Sequence, residues 1–404
     1  MRMIETDPTR RLAARSARMQ SSAIREILKL TQQPDIISLA GGLPAPELFP
    51  LEAMQQASNT AFGKYGPVAL QYAPTEGVVP LRELIASTLP FPTRSDQILV
   101  TSGSQQALHL VAKILLDPGD LVVVESPTYL GALQAFDAYE PEYLVVGSDD
   151  QGMIPESLEH VLSTAPVRPK FIYIIPSFQN PSGTSLPEAR REEIVAIAER
   201  HDVLLVEDDP YGQLAFDGRP KAPLRTHSQS HVLYLGSFSK VFAPGLRIGY
   251  VVAPDELLTY LVRAKQATDL QTGTLDQYLA AETFEVIDMA SHLARLRQVY
   301  GERCKALVTA IRTHLPEGTR WTEPTGGMFV WVSLPGGLSS EECLPEALAR
   351  GVAFVPGASF CVDGSGLSSM RLNFSNVPPG KLDEGVRRLA DAIAAQSKKA
   401  LVAR

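Results

Sequence analysis

The chain has 404 residues, 45% of them hydrophobic and 20% charged, with a formal net charge of −8 at pH 7. That length allows about two or three compact units with ample core, and an acidic chain without a basic stripe interleaved with aromatics speaks against a nucleic-acid partner. No apolar run approaches the ~18 residues of a membrane helix, and the 29 glycines and 31 prolines are spread out rather than gathered into a low-complexity tract.

The first fifteen residues are rich in arginine but lack the apolar core of a secretory signal. Glu5 and Asp7 argue against a transit peptide, so this stretch reads as an ordinary N-terminal arm. Residues 11–30 carry a helical pattern. From about residue 97, short apolar runs alternate with helix-length segments. Strands are expected at 98–101, 121–125, 143–146, 171–175, 203–207, 232–235 and 247–252, with helices such as 104–116 and 187–201 between them. Leu121-Val122-Val123-Val124 is apolar at every position, as a strand buried on both faces requires. Strands alternating with helices imply a largely parallel α/β sheet. The style then changes. One long helix is expected over 291–314, and Gly326-Gly327-Met328-Phe329-Val330-Trp331-Val332 alternates as a half-buried strand. Shorter mixed elements follow, and a helix runs from Lys381. This gives an N-terminal arm over 1–50, a large α/β domain over 51–290 and a smaller α+β domain over 291–404.

Cys304, Cys343 and Cys361 are an odd number of widely spaced thiols, which is no disulfide framework and contains no Cys-x-x-Cys spacing. A reducing cytoplasm is the expected setting. The seven histidines stand singly, with no His-x-x-x-His pair, so no metal site is expected.

Three expected strands run directly into polar residues. Val203-Leu204-Leu205-Val206 leads to Glu207-Asp208, Val232-Leu233-Tyr234-Leu235 leads to Gly236-Ser237-Phe238-Ser239-Lys240, and Phe171-Ile172-Tyr173-Ile174-Ile175 leads to the turn containing Asn180-Pro181-Ser182-Gly183. In open parallel sheets ligands bind at the carboxyl ends of the strands, so a carboxylate, an amine and an amide are offered to one crevice. Taken singly each is ordinary: a lysine after a strand is usually a solvated loop residue, and Asn-Pro-Ser-Gly is usually a turn. Together they answer the needs of one cofactor.

At these residues the chain resembles the fold-type I aminotransferases that use pyridoxal 5′-phosphate. Ser237-Phe238-Ser239-Lys240 through Arg247 resembles their Schiff-base motif, Asn180-Pro181-Ser182-Gly183 their Asn-Pro-Thr-Gly, Asp208-Asp209-Pro210-Tyr211 their Asp-x-x-Tyr, and Arg371-Leu372-Asn373-Phe374 their C-terminal arginine motif. The resemblance implies an aspartate-aminotransferase-like fold, with a mainly parallel seven-stranded sheet in the large domain. Lys240 becomes the cofactor-bound amine and proton carrier, and Asp208, three residues before the tyrosine, the partner of the ring nitrogen. Asn180 and Tyr211 fall to the cofactor's phenolic oxygen, and Tyr129 to its ring face. Gly103, Ser104 and Gln105 open a helix where free N–H groups can meet phosphate, and Ser237, Ser239 and Arg247 complete that cup. Arg371 is implied as the clamp on the substrate α-carboxylate, shared with Asn180. Tyr72 matches a position that reaches the phosphate of a neighbouring subunit, which implies a homodimer with shared sites.

Residues 21–27 and 38–44 are similar to the 2-aminoadipate and kynurenine aminotransferase II subgroup. Gly42 matches a backbone contact to substrate, and Arg25 an arginine that pairs with a distal carboxylate. Read alone, Arg25 is equally a solvated charge beside Ile24, Ile27 and Leu28. The expectation is transfer of an amino group between an L-amino acid (2-aminoadipate, glutamate, aromatic or leucine-like) and 2-oxoglutarate or another 2-oxo acid. The shared catalytic set leaves a β-lyase or decarboxylase open. A regulator built on an aminotransferase-like domain is disfavoured, because only about forty residues precede Gly41-Gly42.

Overall fold

The central sheet has seven short strands: β1 (Ile98–Thr101), β2 (Leu121–Glu125), β3 (Glu142–Val146), β4 (Phe171–Ile174), β5 (Leu204–Asp208), β6 (Val232–Ser237) and β7 (Gly249–Val252). The computed structural model describes residues 8–18, 27 and 35–402. The strand order is β1-β7-β6-β5-β4-β2-β3; β7 runs antiparallel to both neighbours, and the pairings among the others are parallel. Alternate residues feed two cores. Val122, Val124, Phe171, Tyr173, Val206, Leu233 and Leu235 face one side, while Val123, Ile172, Ile174, Leu205 and Val232 face the other. Helix α1 (Ser104–Leu115) covers the first side through Ala107, Leu108 and Val111. Helix α2 (Glu188–Arg200) covers the second through Ile194, Ile197 and Ala198. With both faces covered, the inner strands are apolar throughout, as expected of a parallel sheet.

Boundaries move in two informative places. The strand expected from residue 247 starts at Gly249, because Arg247 sits in the left-handed region at φ 53°. The strand expected to end at 207 extends to Asp208, so the carboxylate belongs to the ladder. Where a helix is expected over 11–30, the stretch up to residue 18 forms two short 3-10 turns, Pro8–Arg11 and Ala14–Arg18. Ala14–Arg18 buries no residue. Ile27 is helical and buried; residues 19–26 and 28–34 lie outside the described residues.

The long helix α3 (Met289–His314) begins two residues earlier than its apolar spacing indicates, where the Asp288 carboxylate accepts hydrogen bonds from Ser291 N at 3.2 Å and Ser291 Oγ at 2.6 Å. An antiparallel sheet packs beside it, in the order Arg320–Trp321, Phe329–Ser333, Ser369–Asn373 and Val355–Pro356. The last helix, α4 (Pro379–Val402), starts on a proline, whose missing N–H costs nothing in the first turn. Leu296, Tyr300 and Ile311 of α3 join Leu382, Val386 and Leu389 of α4 in the core that lines the first face of the large sheet. Between the two sheets runs an extended segment. Ile37–Ser38 pairs in parallel with Val352–Ala353, and Leu39 O accepts a hydrogen bond from Asn373 N at 2.8 Å. Among the described residues no helix is long and apolar enough to cross a membrane.

Candidate active site

Strands β4, β5 and β6 are mutually parallel, so their carboxyl ends open on one side. The three acids around the end of β5 separate by strand alternation and by the turn that follows. The Glu207 carboxylate accepts backbone N–H bonds from Leu224 at 2.8 Å and Arg225 at 3.0 Å. Asp209 accepts from Gly212 N at 2.9 Å and Tyr234 OH at 3.0 Å. Asp208 shares the face of Val206 and reaches the cavity; its Oδ2 accepts from Tyr173 OH at 2.9 Å, while Oδ1 is buried without a partner. Burial raises the Asp208 carboxyl to about 7, with Asp209 adding to the rise and the Tyr173 hydroxyl and Lys240 opposing it.

Lys240 follows β6 and lines the same cavity of about 460 Å³. Its residue is half-buried, because the side chain faces that space, and Nζ donates to Gly42 O at 2.9 Å. Burial is the main reason its amine is held down to about 8; the Arg371 and Arg247 charges act in the same sense against the pull of Asp208. Arg371, 1% exposed, comes from the antiparallel sheet. It donates to Asn180 Oδ1 at 2.8 Å and Ala40 O at 2.6 Å, leaving Nε unpartnered. Its guanidinium lies 4.3 Å from the Phe329 ring centroid. Asn180 turns its other end to Tyr211, Nδ2 to OH at 3.4 Å. The loop carrying Asn180 is tied from behind by the buried Arg191 of α2, which donates to Pro176 O at 2.7 Å and Ser177 Oγ at 2.9 Å.

At the other end of the cavity, α1 starts at Ser104 and Gln105 with its first N–H groups unpaired by the helix itself. The turn before it is clamped. Asp269 accepts from Ser102 Oγ at 3.0 Å, Gln106 Nε2 at 2.7 Å and Lys265 Nζ at 2.9 Å, and Lys265 is fully buried. Gly103, at φ 82°, lies against Arg247: a Cβ there would fall 2.5 Å from Nη2. Gly249 of β7 abuts the same turn, where a Cβ would lie 2.6 Å from Ser104 N. Ser237 and Ser239 line this end with Arg247, joined by a hydrogen bond from Ser239 N to Ser237 Oγ at 3.1 Å. The arrangement offers an amine, a carboxylate and an anion-binding helix start to a single ligand.

Gly42, Tyr129, Asn180, Tyr211 and Arg371 line the cavity together with Lys240, Asp208 and the serine–arginine end. Gly103 does not line the cavity but packs against Arg247, which does. Tyr72 does not enter the cavity of its own chain; it is 77% exposed. Arg25 lies outside the described residues. The sequence reading missed Phe329, Leu43 and Gln134, which line the cavity, and Tyr173, which holds Asp208. Phe329 sits in the alternating strand read at 326–332, but only the pairing of Phe329–Ser333 with Ser369–Asn373 brings it under Arg371. Among the described residues, Glu188, Glu192 and His227 bring ligand atoms within 4.8 Å of one another at the surface, a grouping of exposed acids that is common without an ion.

Residues 34–389 match the family described as aminotransferase class I and II. The 2-aminoadipate transaminase of Thermus thermophilus is 44% identical over 383 residues, covering 94% of this chain and 95% of that protein. Aromatic-amino-acid aminotransferase 1 of Thermococcus litoralis is 42% identical over 389 residues, covering 94% and 93%. The crystal structure of LysN, the alpha-aminoadipate aminotransferase of Thermus thermophilus complexed with N-(5'-phosphopyridoxyl)-L-leucine, superposes with a TM-score of 0.91 at 41% identity, covering 96% of this chain and 99% of that one. Extended likeness at this level, over a cavity furnished in this way, places the chain in the class I and II aminotransferase family, with the aspartate-aminotransferase-like fold.

Proposed function

We propose that this protein is a pyridoxal-phosphate-dependent aminotransferase whose cofactor is held by Lys240. The observation that carries the reading is that Lys240, Asp208 with its unpartnered Oδ1, and Arg371 line one cavity. The donor set fits the cofactor at both ends. Asp208 Oδ1 lacks a donor, as an acceptor reserved for a protonated ring nitrogen would. Ser104, Gln105, Ser237, Ser239 and Arg247 present donors suited to a phosphate dianion. When bound, the cofactor supplies an aldehyde for the amine and a ring that takes up the electron pair released at the substrate Cα.

The chain's own residues supply the rest. A lysine amine held near 8 is partly neutral at physiological pH, so it can attack a carbonyl and later accept the Cα proton. Asn180 and Tyr211 stand where they can donate to the phenolic oxygen, and Tyr129 lines the wall expected to cover the ring. Arg371, already oriented by Asn180 and Ala40, keeps Nε free, and its fork can take a substrate α-carboxylate and turn Cα toward Lys240. Gly42, whose carbonyl now receives the Lys240 ammonium, lines the substrate side.

The donors we propose are 2-aminoadipate, glutamate, aromatic or leucine-like amino acids, with 2-oxoglutarate or another 2-oxo acid as acceptor; the names of the relatives support the 2-aminoadipate and aromatic donors. Arg25 is the residue we assign to a distal carboxylate. The working unit is a homodimer in the cytoplasm, with Tyr72 serving the partner's site. Phe62, Val68, Leu70 and Tyr72 support this, for all are at least 47% exposed along one stretch of chain. The chain divides into an arm (1–50), a cofactor domain (51–290) and a small domain (291–404) that contributes Arg371. A panel of amino donors with 2-oxoglutarate, read as glutamate formed, tests the activity. Turnover of at least one dicarboxylic, aromatic or leucine-like donor is expected; release of ammonia or carbon dioxide without glutamate would point to a lyase or decarboxylase instead.

A further inference from the structure

We infer that Tyr173 is the positioning residue that favours the anionic form of Asp208: its hydroxyl occupies Oδ2 and leaves Oδ1 for the ring nitrogen of a bound cofactor. The inference rests on the cofactor reading above and adds a residue that the sequence reading did not assign.

The geometry starts in the strand register. Tyr173 of β4 stands opposite Val206 of β5, and residues two apart on a strand share a face, so Tyr173 and Asp208 point the same way. The hydroxyl donates to Asp208 Oδ2 at 2.9 Å. Tyr173 is 1% exposed and Asp208 2%, so water is a poor substitute for either partner. The ring sits edge-on to Phe136 at a centroid distance of 5.5 Å, so packing as well as the hydrogen bond holds the hydroxyl in place.

Other groups near the carboxylate are already committed. Asp209, next along the chain, is held by Gly212 and Tyr234, and its charge opposes ionisation of Asp208. Lys240 favours the anion but donates to Gly42. Tyr211 bonds Asn180. Among the described residues, Tyr173 is the one donor to the Asp208 carboxylate. Burial and the neighbouring carboxylate push the Tyr173 phenol well above its ordinary range, so it stays a donor rather than surrendering its proton. A hydrogen bond to the charged form favours that form. Without it, the balance at this buried carboxyl moves toward the neutral acid, which holds a ring cation poorly.

The test is a binding measurement on the Tyr173→Phe protein, which keeps the packed ring and removes one oxygen. Two ligands are compared: pyridoxal phosphate, and its analogue with carbon in place of the ring nitrogen. The variant should bind pyridoxal phosphate roughly tenfold more weakly and the carbon analogue within about twofold of wild type, the scale of one hydrogen bond to a charged group. Equal loss for both ligands would mean a general packing role and overturn the inference, as would no loss for either. In an Asp208→Asn background, adding Tyr173→Phe should not weaken pyridoxal-phosphate binding further; a second tenfold loss there would also overturn it. Failure of the wild-type protein to bind pyridoxal phosphate at all would instead sink the cofactor reading itself.

Discussion

Lys240, half-buried, and Asp208, fully buried, are ionisable groups displaced in opposite senses: the amine down to about 8, the carboxyl up to about 7. Both shifts bring a proton exchange close to physiological pH, where each helps build the site. The amine attacks only when neutral, so cofactor capture by the cofactor-free protein should quicken as pH rises through about 8, measured by stopped-flow absorbance. A rate flat between pH 6 and pH 9 would remove Lys240 from that role, and Lys240→Ala should develop none of the bound-cofactor absorbance. Arg371 invites a different substitution. Arg371→Lys keeps a charge but loses the planar fork that meets Asn180 and Ala40, so kcat/KM should fall roughly 100-fold for every amino donor. Loss confined to dicarboxylic donors would place Arg371 at the side chain instead of the α-carboxylate.

Two glycines distinguish contact from mere flexibility where the elements meet. Gly249 opens β7 where a Cβ would lie 2.6 Å from Ser104 N and 2.7 Å from Gly103 C, both backbone atoms that cannot rotate away. Gly249→Ala should push the first turn of α1 outward, weakening pyridoxal-phosphate binding and costing about 1–3 kcal/mol of stability by overpacking. Gly245, a few residues earlier, would leave an added methyl group with nothing within 4 Å, and it has no left-handed φ. Gly245→Ala should therefore leave both quantities near wild type, by urea titration and cofactor binding. Equal behaviour of the two variants would deny that the β7–α1 contact shapes the anion end.

For the whole molecule, the buried carboxyls set a pH dependence with a definite sign. Burial raises Glu125 and Glu207 to about 8 and Asp208 to about 7. Above the ordinary carboxylate range the unfolded chain has released these protons while the native state keeps them, so their contribution is full in acid and is lost as pH rises through 7 to 8. Lys240 works in the opposite sense over a higher window: between about 8 and its ordinary 10.5 the unfolded chain holds a proton that the native amine has released, so stability recovers there. The cofactor-free protein should unfold at higher urea at pH 6 than at pH 8; the reverse order would contradict this account. Assembly is testable at the same scale. Leu70 is 70% exposed beside Tyr72, on the 3-10 turn Gly66–Leu70, and Leu70→Glu should shift the protein toward monomer in sedimentation while weakening cofactor binding. A dimer unaffected by that charge would exclude this face from the interface.

The gathering of polar residues at strand ends was legible in the chain because it depends on local order. An apolar run long enough to cross a sheet must stop at its edge, and the residue types at that stop, Asp208, Asn180 and Ser237 to Lys240, announce a ligand there. The alternation of strands and helices likewise fixed the parallel architecture. The strand order, the reversal of β7 and the approach of the antiparallel sheet could not be read this way, since they depend on contacts between segments far apart in sequence. The choice among Glu207, Asp208 and Asp209 drew on resemblance; the physical reason appears only in three dimensions, where the pleat sends Asp208 to the cavity and its neighbours to backbone and Tyr234. Tyr173 and Phe329 look like core aromatics in the sequence. Register alone turned one toward a carboxylate and the other under a guanidinium.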